Sequence, residues 1–275
     1  MTTNAFTQFQ NLHASTSSFL LPNVWDAASA ALCQREGAKA LATSSAALAW
    51  SLGYQDGGAL PRHELLSAIG RIMRVIDIPL SVDIEDGYST SAAEVAHLVC
   101  ELAQSGVVGI NIEDGAQAST LLSEKITTIR QHLGATDLFI NARTDVFLRQ
   151  LAHGAAAVDM SIERLRQYHQ AGANSGFVPG LMCLEDVRKM VCSISMPLNI
   201  MVLPNMPSIA DFTSAGVRRI SVGPALFQSA YEHTRLLASQ FLHHQNVANL
   251  FASHISFDEM NGMFPCKSHD NISED

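Results

Sequence analysis

At 275 residues and 47% hydrophobic content, the chain can bury a core of α/β-barrel size within one domain. A net charge of −9 with scattered basic residues excludes nucleic acid or an anionic membrane as the main partner, and no apolar run approaches the ~20 residues of a membrane span. The five cysteines, odd in number and without metal-knuckle spacing, read as mostly buried free thiols in a reducing, cytoplasmic setting, and the polar residues 1–18 lack a secretory-leader layout.

Apolar strands alternate with amphipathic helices along the chain. Phe19-Leu20-Leu21 reads as a first strand running into Pro22-Asn23-Val24-Trp25-Asp26, with Asp26 the N-cap of a small-residue helix ending near Glu36. A second strand, residues 40–43, leads through Ser44, Ser45 and Ala46 to Trp50 and a glycine-rich loop that holds Asp56. A helix over 62–76 delivers the third strand, Leu80-Ser81-Val82-Asp83-Ile84-Glu85, stopped by Asp86-Gly87. Inside that apolar run Asp83 and Glu85 are two apart, so alternation places both carboxylates on one side of the sheet. The pattern returns one unit later as Gly109-Ile110-Asn111-Ile112-Glu113-Asp114-Gly115. Like charges so gathered raise one another's pKa unless a cation sits among them, which points to a divalent-metal site rather than two solvated acidic turns.

The remaining strands fall at 138–142, 176–178, 198–202 and 219–222, separated by helices over 121–132, 159–171, 184–192 and 208–214. Eight strand–helix units predict a closed (β/α)8 TIM barrel; no G-x-G-x-x-G or P-loop supports an open doubly wound sheet. Barrel active sites lie at the C-terminal strand ends, where Ser44, Asp83, Glu85, Glu113, Arg143 and Asn199 all fall. Residues 1–240 are read as one barrel domain and 241–275 as a C-terminal helical extension with a polar, disordered tail. An apolar helix at that end either packs on its own barrel or is swapped into a neighbouring subunit.

Over residues 20–239 the chain resembles the isocitrate lyase/phosphoenolpyruvate mutase superfamily, in its short-loop, phosphoenolpyruvate mutase-like branch. The likeness rests on Pro22-Asn23-Val24-Trp25-Asp26-Ala27-Ala28-Ser29-Ala30, residues 43–56, Val82-Asp83-Ile84-Glu85-Asp86-Gly87-Tyr88, the Ile-Glu-Asp-Gly segment, Asn141-Ala142-Arg143-Thr144-Asp145 and Arg218-Arg219-Ile220-Ser221-Val222-Gly223. It implies Mg2+, with Mn2+ as a substitute: Asp83 as the direct ligand, Glu85 in place of the family's second Asp, and Glu113 reaching the ion through water. It further implies that Asp56 closes the acidic network, that Ser44 with the Ser45 and Ala46 amides holds the substrate carboxylate, that Arg143 grips its oxygens, and that Trp25 forms an apolar wall. The implied chemistry is cleavage or formation of a C–C or P–C bond beside a 2-oxo acid, with the enolate stabilised by the metal and Arg143. The implied partners are the small 2-oxo acid and further copies of the chain, as a homodimer or homotetramer.

The departures are equally specific. Where the family's lyases carry a Lys-Lys-Cys-Gly-His loop, this chain has Ala116-Gln117-Ala118-Ser119-Thr120, and no cysteine lies between Cys100 and Cys183. Pro179 replaces the lyases' Glu after the sixth strand, and the mutases' Lys–Asn–Ser loop is missing. Lys125 reads as a solvated helix charge, Arg218-Arg219 as a barrel-bottom salt-bridge pair, and Tyr88 as a packing residue with a solvated hydroxyl. Asn199 is read as a substrate contact or a loop-orienting residue, and His243-His244 lack metal spacing. Pyruvate-forming cleavage or decarboxylation is favoured, since water can serve as its proton donor. The alternatives are a non-catalytic 2-oxo acid binder, a phosphonopyruvate mutase or hydrolase, and, last, a Schiff-base aldolase. The last would need a strand-end lysine, and Lys39, Lys125, Lys189 and Lys267 lie elsewhere.

Overall fold

The computed structural model describes residues 4–264. Its strands are β1 (Phe19–Leu21), β2 (Asn23–Val24), β3 (Leu41–Thr43), β4 (Leu80–Asp83), β5 (Gly109–Glu113), β6 (Phe139–Arg143), β7 (Ser175–Phe177), β8 (Leu198–Met201) and β9 (Arg219–Ser221). All pair in parallel, in the order β1-β9-β8-β7-β6-β5-β4-β3-β2. β1 and β2 are one strand interrupted at Pro22, which has no N–H to give a ladder. Its first half pairs with β9 and its second with β3, and this closes the barrel. Helices α2 (Ala27–Arg35), α3 (Ser45–Ser51), α4 (Arg62–Met73), α5 (Ala92–Gln104), α6 (Ser119–Leu133), α7 (Gly154–Ala171), α8 (Leu184–Ser193) and α9 (Ile209–Ser214) connect the strands. As expected, Asp26 caps α2, accepting from the Ser29 amide at 2.7 Å in a capping box.

Strand side chains alternate between two environments. Leu80, Val82, Ile110, Ile112, Ile140, Ala142, Ile200 and Ile220 join the apolar core, all buried. Many of the alternate positions are polar and face the barrel interior, among them Ser81, Asn111, Asn141, Ser175, Asn199 and Arg219. Asn141 donates to Asn111 at 2.8 Å and to Asn199 at 3.0 Å, and Ser175 donates to Asn141.

A helix unforeseen in the sequence, α1 (Ala5–Ala14), stoppers the bottom of the barrel. Residues 1–18 looked merely polar because few side chains do the packing: Phe9 and His13 enter a cluster with Leu21, Ala40, Ala42, Val108 and Phe139, and Phe6 and Leu12 pack against it. The His13 ring stacks on Phe139 at 4.0 Å. Gly109 makes room, since a Cβ there would sit 3.0 Å from the Phe9 ring.

Several expectations are corrected. β4 ends at Asp83, and Glu85 follows it with φ +52°, so the two carboxylates do not share a strand face by alternation. Lys125 is buried and donates to the Asp86 carbonyl at 2.7 Å, supporting the loop after β4 instead of facing solvent. Arg219 is fully buried inside the barrel and makes no ion pair among the described residues; its Nη2 donates to Asn111 Oδ1 at 2.9 Å. Cys183 and Cys192 are exposed and Cys33 and Cys100 half-buried, while Cys266 lies outside the described residues.

α10 (Ala225–His244) runs through residue 240 without a break and leaves Tyr231, Phe241 and Leu242 exposed. A 3-10 turn (Ala248–Leu250) and α11 (Phe257–Asn261) follow, and most of the polar tail expected over 262–275 lies outside the described residues. Among the described residues no helix is long and apolar enough to cross a membrane.

Candidate active site

At the C-terminal mouth of the barrel lies a cavity of about 210 Å3. Its polar lining includes Asn23, Ser44, Ser45, Asp56, Asp83, Asn111 and Arg143, with Trp50, Leu148, Phe177, Met201 and Pro224 as the apolar part. A second cavity, of about 270 Å3, is lined by Glu85, Asp86, Glu113, Asp114 and Arg149 among others.

Ser44 caps α3, its Oγ accepting from the Ala47 amide at 3.3 Å. The Ser45 and Ala46 amides belong to the first turn, which has no intrahelical acceptor, and both residues line the cavity. The sequence assigns no element to this short helix, because Ser-Ser-Ala-Ala carries no apolar periodicity.

Arg143, at the end of β6, is mostly buried and clamped from two sides. Its Nη1 lies 2.6 Å from Glu113 Oε2, while Nε and Nη2 donate to the two Asp145 carboxylate oxygens at 2.6 and 3.1 Å. Asp145 also accepts from Arg149 at 3.3 Å, and its backbone amide donates to Asp114, which is held by Arg164 and Tyr168. The guanidinium is thus fixed before any ligand arrives, and its two carboxylate neighbours keep it firmly protonated.

Asp83 is buried, accepting from Ser45 Oγ at 3.3 Å and from the Glu85 amide at 3.2 Å. Burial pushes its carboxyl above the usual range, opposed by Arg143. Burial and then the charges of Asp83 and Asp56 raise Glu85 to about 7. Burial likewise holds Glu113 above the usual range, although Arg143 draws it back down. Tyr88, expected to have a solvated hydroxyl, instead buries it near Glu85.

No trio of Asp, Glu, His or Cys among the described residues is close enough to enclose a metal ion directly. Mg2+ does not need one, since it is commonly held by one or two carboxylates while retaining several waters. The donor set fits that mode. Asp83 offers a carboxylate at the cavity wall, Glu85 Oε1 is buried with no donor among the described residues, and the surrounding acids repel one another.

Of the residues singled out in the sequence, Ser44, Ser45, Ala46, Asp56, Asp83 and Arg143 come together on the main cavity, while Glu85 and Glu113 face the second. Asn199 does not reach either cavity: it is fully buried, donating to the Ile200 and Arg219 carbonyls and to Ser221 Oγ. Trp25 packs edge-on against Phe227, with ring centroids 5.2 Å apart, and Trp50 takes the place on the cavity wall expected of it. Asn111, Leu148, Phe177 and Met201 were missed as lining residues. Alternation with Glu113 and Asn199 could have found Asn111 and Met201, whereas Phe177 sits there through its register with Arg143.

The phosphoenolpyruvate phosphomutase family model matches residues 9–242. A 2-methylisocitrate lyase of Escherichia coli is 32% identical over 215 residues, covering 72% of this chain and 69% of its own. An uncharacterised protein of Mycobacterium tuberculosis is 34% identical over 220 residues, covering 78% of this chain and 81% of its own. A solved structure from Burkholderia cenocepacia, named only provisionally as a phosphonomutase, superposes with a TM-score of 0.83 at 34% identity, covering 86% of this chain and all of its own. Other homologues are lyases and decarboxylases of small acids. With the family model spanning most of the chain and this barrel beneath it, the chain belongs to the phosphoenolpyruvate mutase/isocitrate lyase superfamily.

Proposed function

We propose that the protein cleaves a carbon–carbon bond beside the carbonyl of a small 2-oxo acid, releasing pyruvate, as a lyase or decarboxylase. The observation that carries this reading is the convergence of Arg143, Asp83 and the first amides of α3 on one cavity of about 210 Å3. Arg143 is the basic residue on that lining, and Glu113 and Asp145 already share its charge. A ligand with three carboxylates would leave some of them without a cation, so a compact acid fits better. Leu148, Phe177 and Met201 would shelter its apolar part.

Superfamily members typically depend on Mg2+. Here Asp83 would hold the ion, with Glu85, Glu113 and Asp56 around it. Bound there, Mg2+ supplies Lewis-acid polarisation of the 2-oxo group. The chain's own contribution is electrostatic. The Ser45 and Ala46 amides seat the carboxylate, and Arg143, immobilised by its two acidic partners, stabilises the oxygen on which negative charge grows. Asp56, exposed at the cavity mouth, would close the acidic network. Ala116–Thr120 leads straight into α6 and carries no acid group to protonate the enolate, so water delivers that proton.

A second reading, a 2-oxo acid binder without turnover, is favoured by the same missing acid. Pyruvate release measured with oxaloacetate, 2-methylisocitrate and phosphonopyruvate, with Mg2+ and with chelator, separates the two. The proposal expects Mg2+-dependent pyruvate from oxaloacetate, with little or none from 2-methylisocitrate, which carries three carboxylates. Thermal stabilisation by these acids without any pyruvate would establish the binder instead.

A further inference from the structure

Beneath the active-site mouth the barrel contains a cation that the chemistry above does not use. Arg219 is fully buried in β9, and its side chain crosses the interior to β5, which is not a neighbouring strand. Nη2 reaches Asn111 Oδ1 at 2.9 Å, while Nε and Nη1 have no acceptor among the described residues. On the floor side, burial and the Arg219 charge push His13 down to about 3, so His13 adds no second charge. Burial also draws Arg219 itself down, to about 9, which leaves it protonated at neutral pH. Burying a cation without an ionic partner is strongly unfavourable. The carboxylate that offsets it is Asp83, on the cavity wall above.

Asn111 turns that charge into a directed group. Its Oδ1 receives two donors, Arg219 Nη2 at 2.9 Å and Asn141 Nδ2 at 2.8 Å, so the amide can face only one way. Its Nδ2 donates to nothing among the described residues. The side chain is buried apart from 4%, and it lines the main cavity beside Asp83, its register partner on β4.

We propose that Asn111 is a substrate-binding residue, donating Nδ2–H from the cavity floor to an anionic oxygen of the bound 2-oxo acid, and that Arg219 is the positioning residue that orients it. The proposal rests on the 2-oxo acid reading above. The buried arginine thereby makes the floor of the cavity favourable to negative charge, in a region too enclosed for salt to screen.

The test is calorimetric titration of oxalate, in the presence of Mg2+, into the wild type and three variants, with thermal melts of each. Asn111→Asp keeps an acceptor for both Arg219 and Asn141, turns the cavity-facing donor into an acceptor, and adds a negative charge beside Arg219. It should bind oxalate about 10- to 100-fold more weakly, the usual loss for a hydrogen bond to a charged group, while melting at or above the wild-type temperature. Arg219→Met, close in length but uncharged, should weaken binding about tenfold, and Arg219→Lys should recover it to within about threefold. Filling of space alone would make Lys and Met equivalent.

Oxalate binding by Asn111→Asp within about threefold of wild type overturns the proposal. Equal binding by the two Arg219 variants also overturns it, and this arm decides if Asn111→Asp does not fold. If the wild type binds neither oxalate nor pyruvate with Mg2+, the 2-oxo acid reading itself fails and takes this inference with it. That failure is read from the wild type, the other from the variants.

Discussion

Glu85→Gln tests the crowding of acids at the barrel mouth. Glu85 is buried, its Oε1 has no donor among the described residues, and burial together with Asp83 and Asp56 raises its carboxyl from 4.5 to about 7. Because the folded-state value lies above the unfolded one, the stability this group carries is complete below about pH 4.5. It is lost as pH rises through about 7. A rise of that size corresponds to about 3 kcal/mol against the ionised form, which solvent at the open cavity reduces to about 1–3 kcal/mol. Glutamine removes the charge and keeps the shape. In chelator at pH 8 the variant should therefore melt roughly 3–10 °C above the wild type, and at pH 4.5 the two should coincide. Added Mg2+ should stabilise the wild type more than the variant, because the ion relieves a repulsion the variant no longer has. The measurement is thermal unfolding across pH with and without Mg2+. A variant no more stable than wild type at pH 8 would show that these carboxylates do not repel one another, and the proposed Mg2+ site would lose its electrostatic basis.

Asp83→Ala should abolish Mg2+ binding by calorimetry; unchanged affinity would place the ion elsewhere. Arg143→Met leaves Glu113 and Asp145 buried beside an uncharged side chain, a loss of about 3–5 kcal/mol at neutral pH. In denaturant melts that loss should shrink on acidification, as the carboxyls take up protons. Phe9→Ala empties the bottom of the barrel and should cost about 3–5 kcal/mol in the same assay, without changing Mg2+ affinity. We expect the apolar residues left exposed on α10 to be covered by another copy of the chain. Light scattering should give a dimer or tetramer, and Phe241→Asp with Leu242→Asp should reduce its mass.

Much of the architecture was legible because a parallel barrel writes itself locally. Most buried strands are short apolar runs, most helices have an apolar stripe and a stop, and eight such units in succession admit few topologies. Asp83, Glu113 and Arg143 could be placed for the same reason, since those strand ends are marked by the Asp-Gly and Arg-Thr-Asp sequences around them. Glu85 was assigned to the wrong geometry because Ile84 looks like strand, while the chain leaves the sheet at Asp83 and turns left-handed.

Local pattern alone could not show what lies across the barrel. Arg219 and Asn111 are 108 positions apart, and no periodicity links them. Lys125 looked solvated because a lysine on a helix usually is, yet it lies on the buried face with Leu122 and Ile129 and the loop after β4 folds over it. Trp50 stands on the cavity wall where Trp25 was expected, and Phe227 on α10 packs against both. The sequence by itself determined the barrel and the set of acids at its mouth, because strand alternation and turn chemistry act over a few residues. The tertiary structure alone decided which polar groups the interior left unpaired, because pairing there depends on which strands face one another once the sheet has closed.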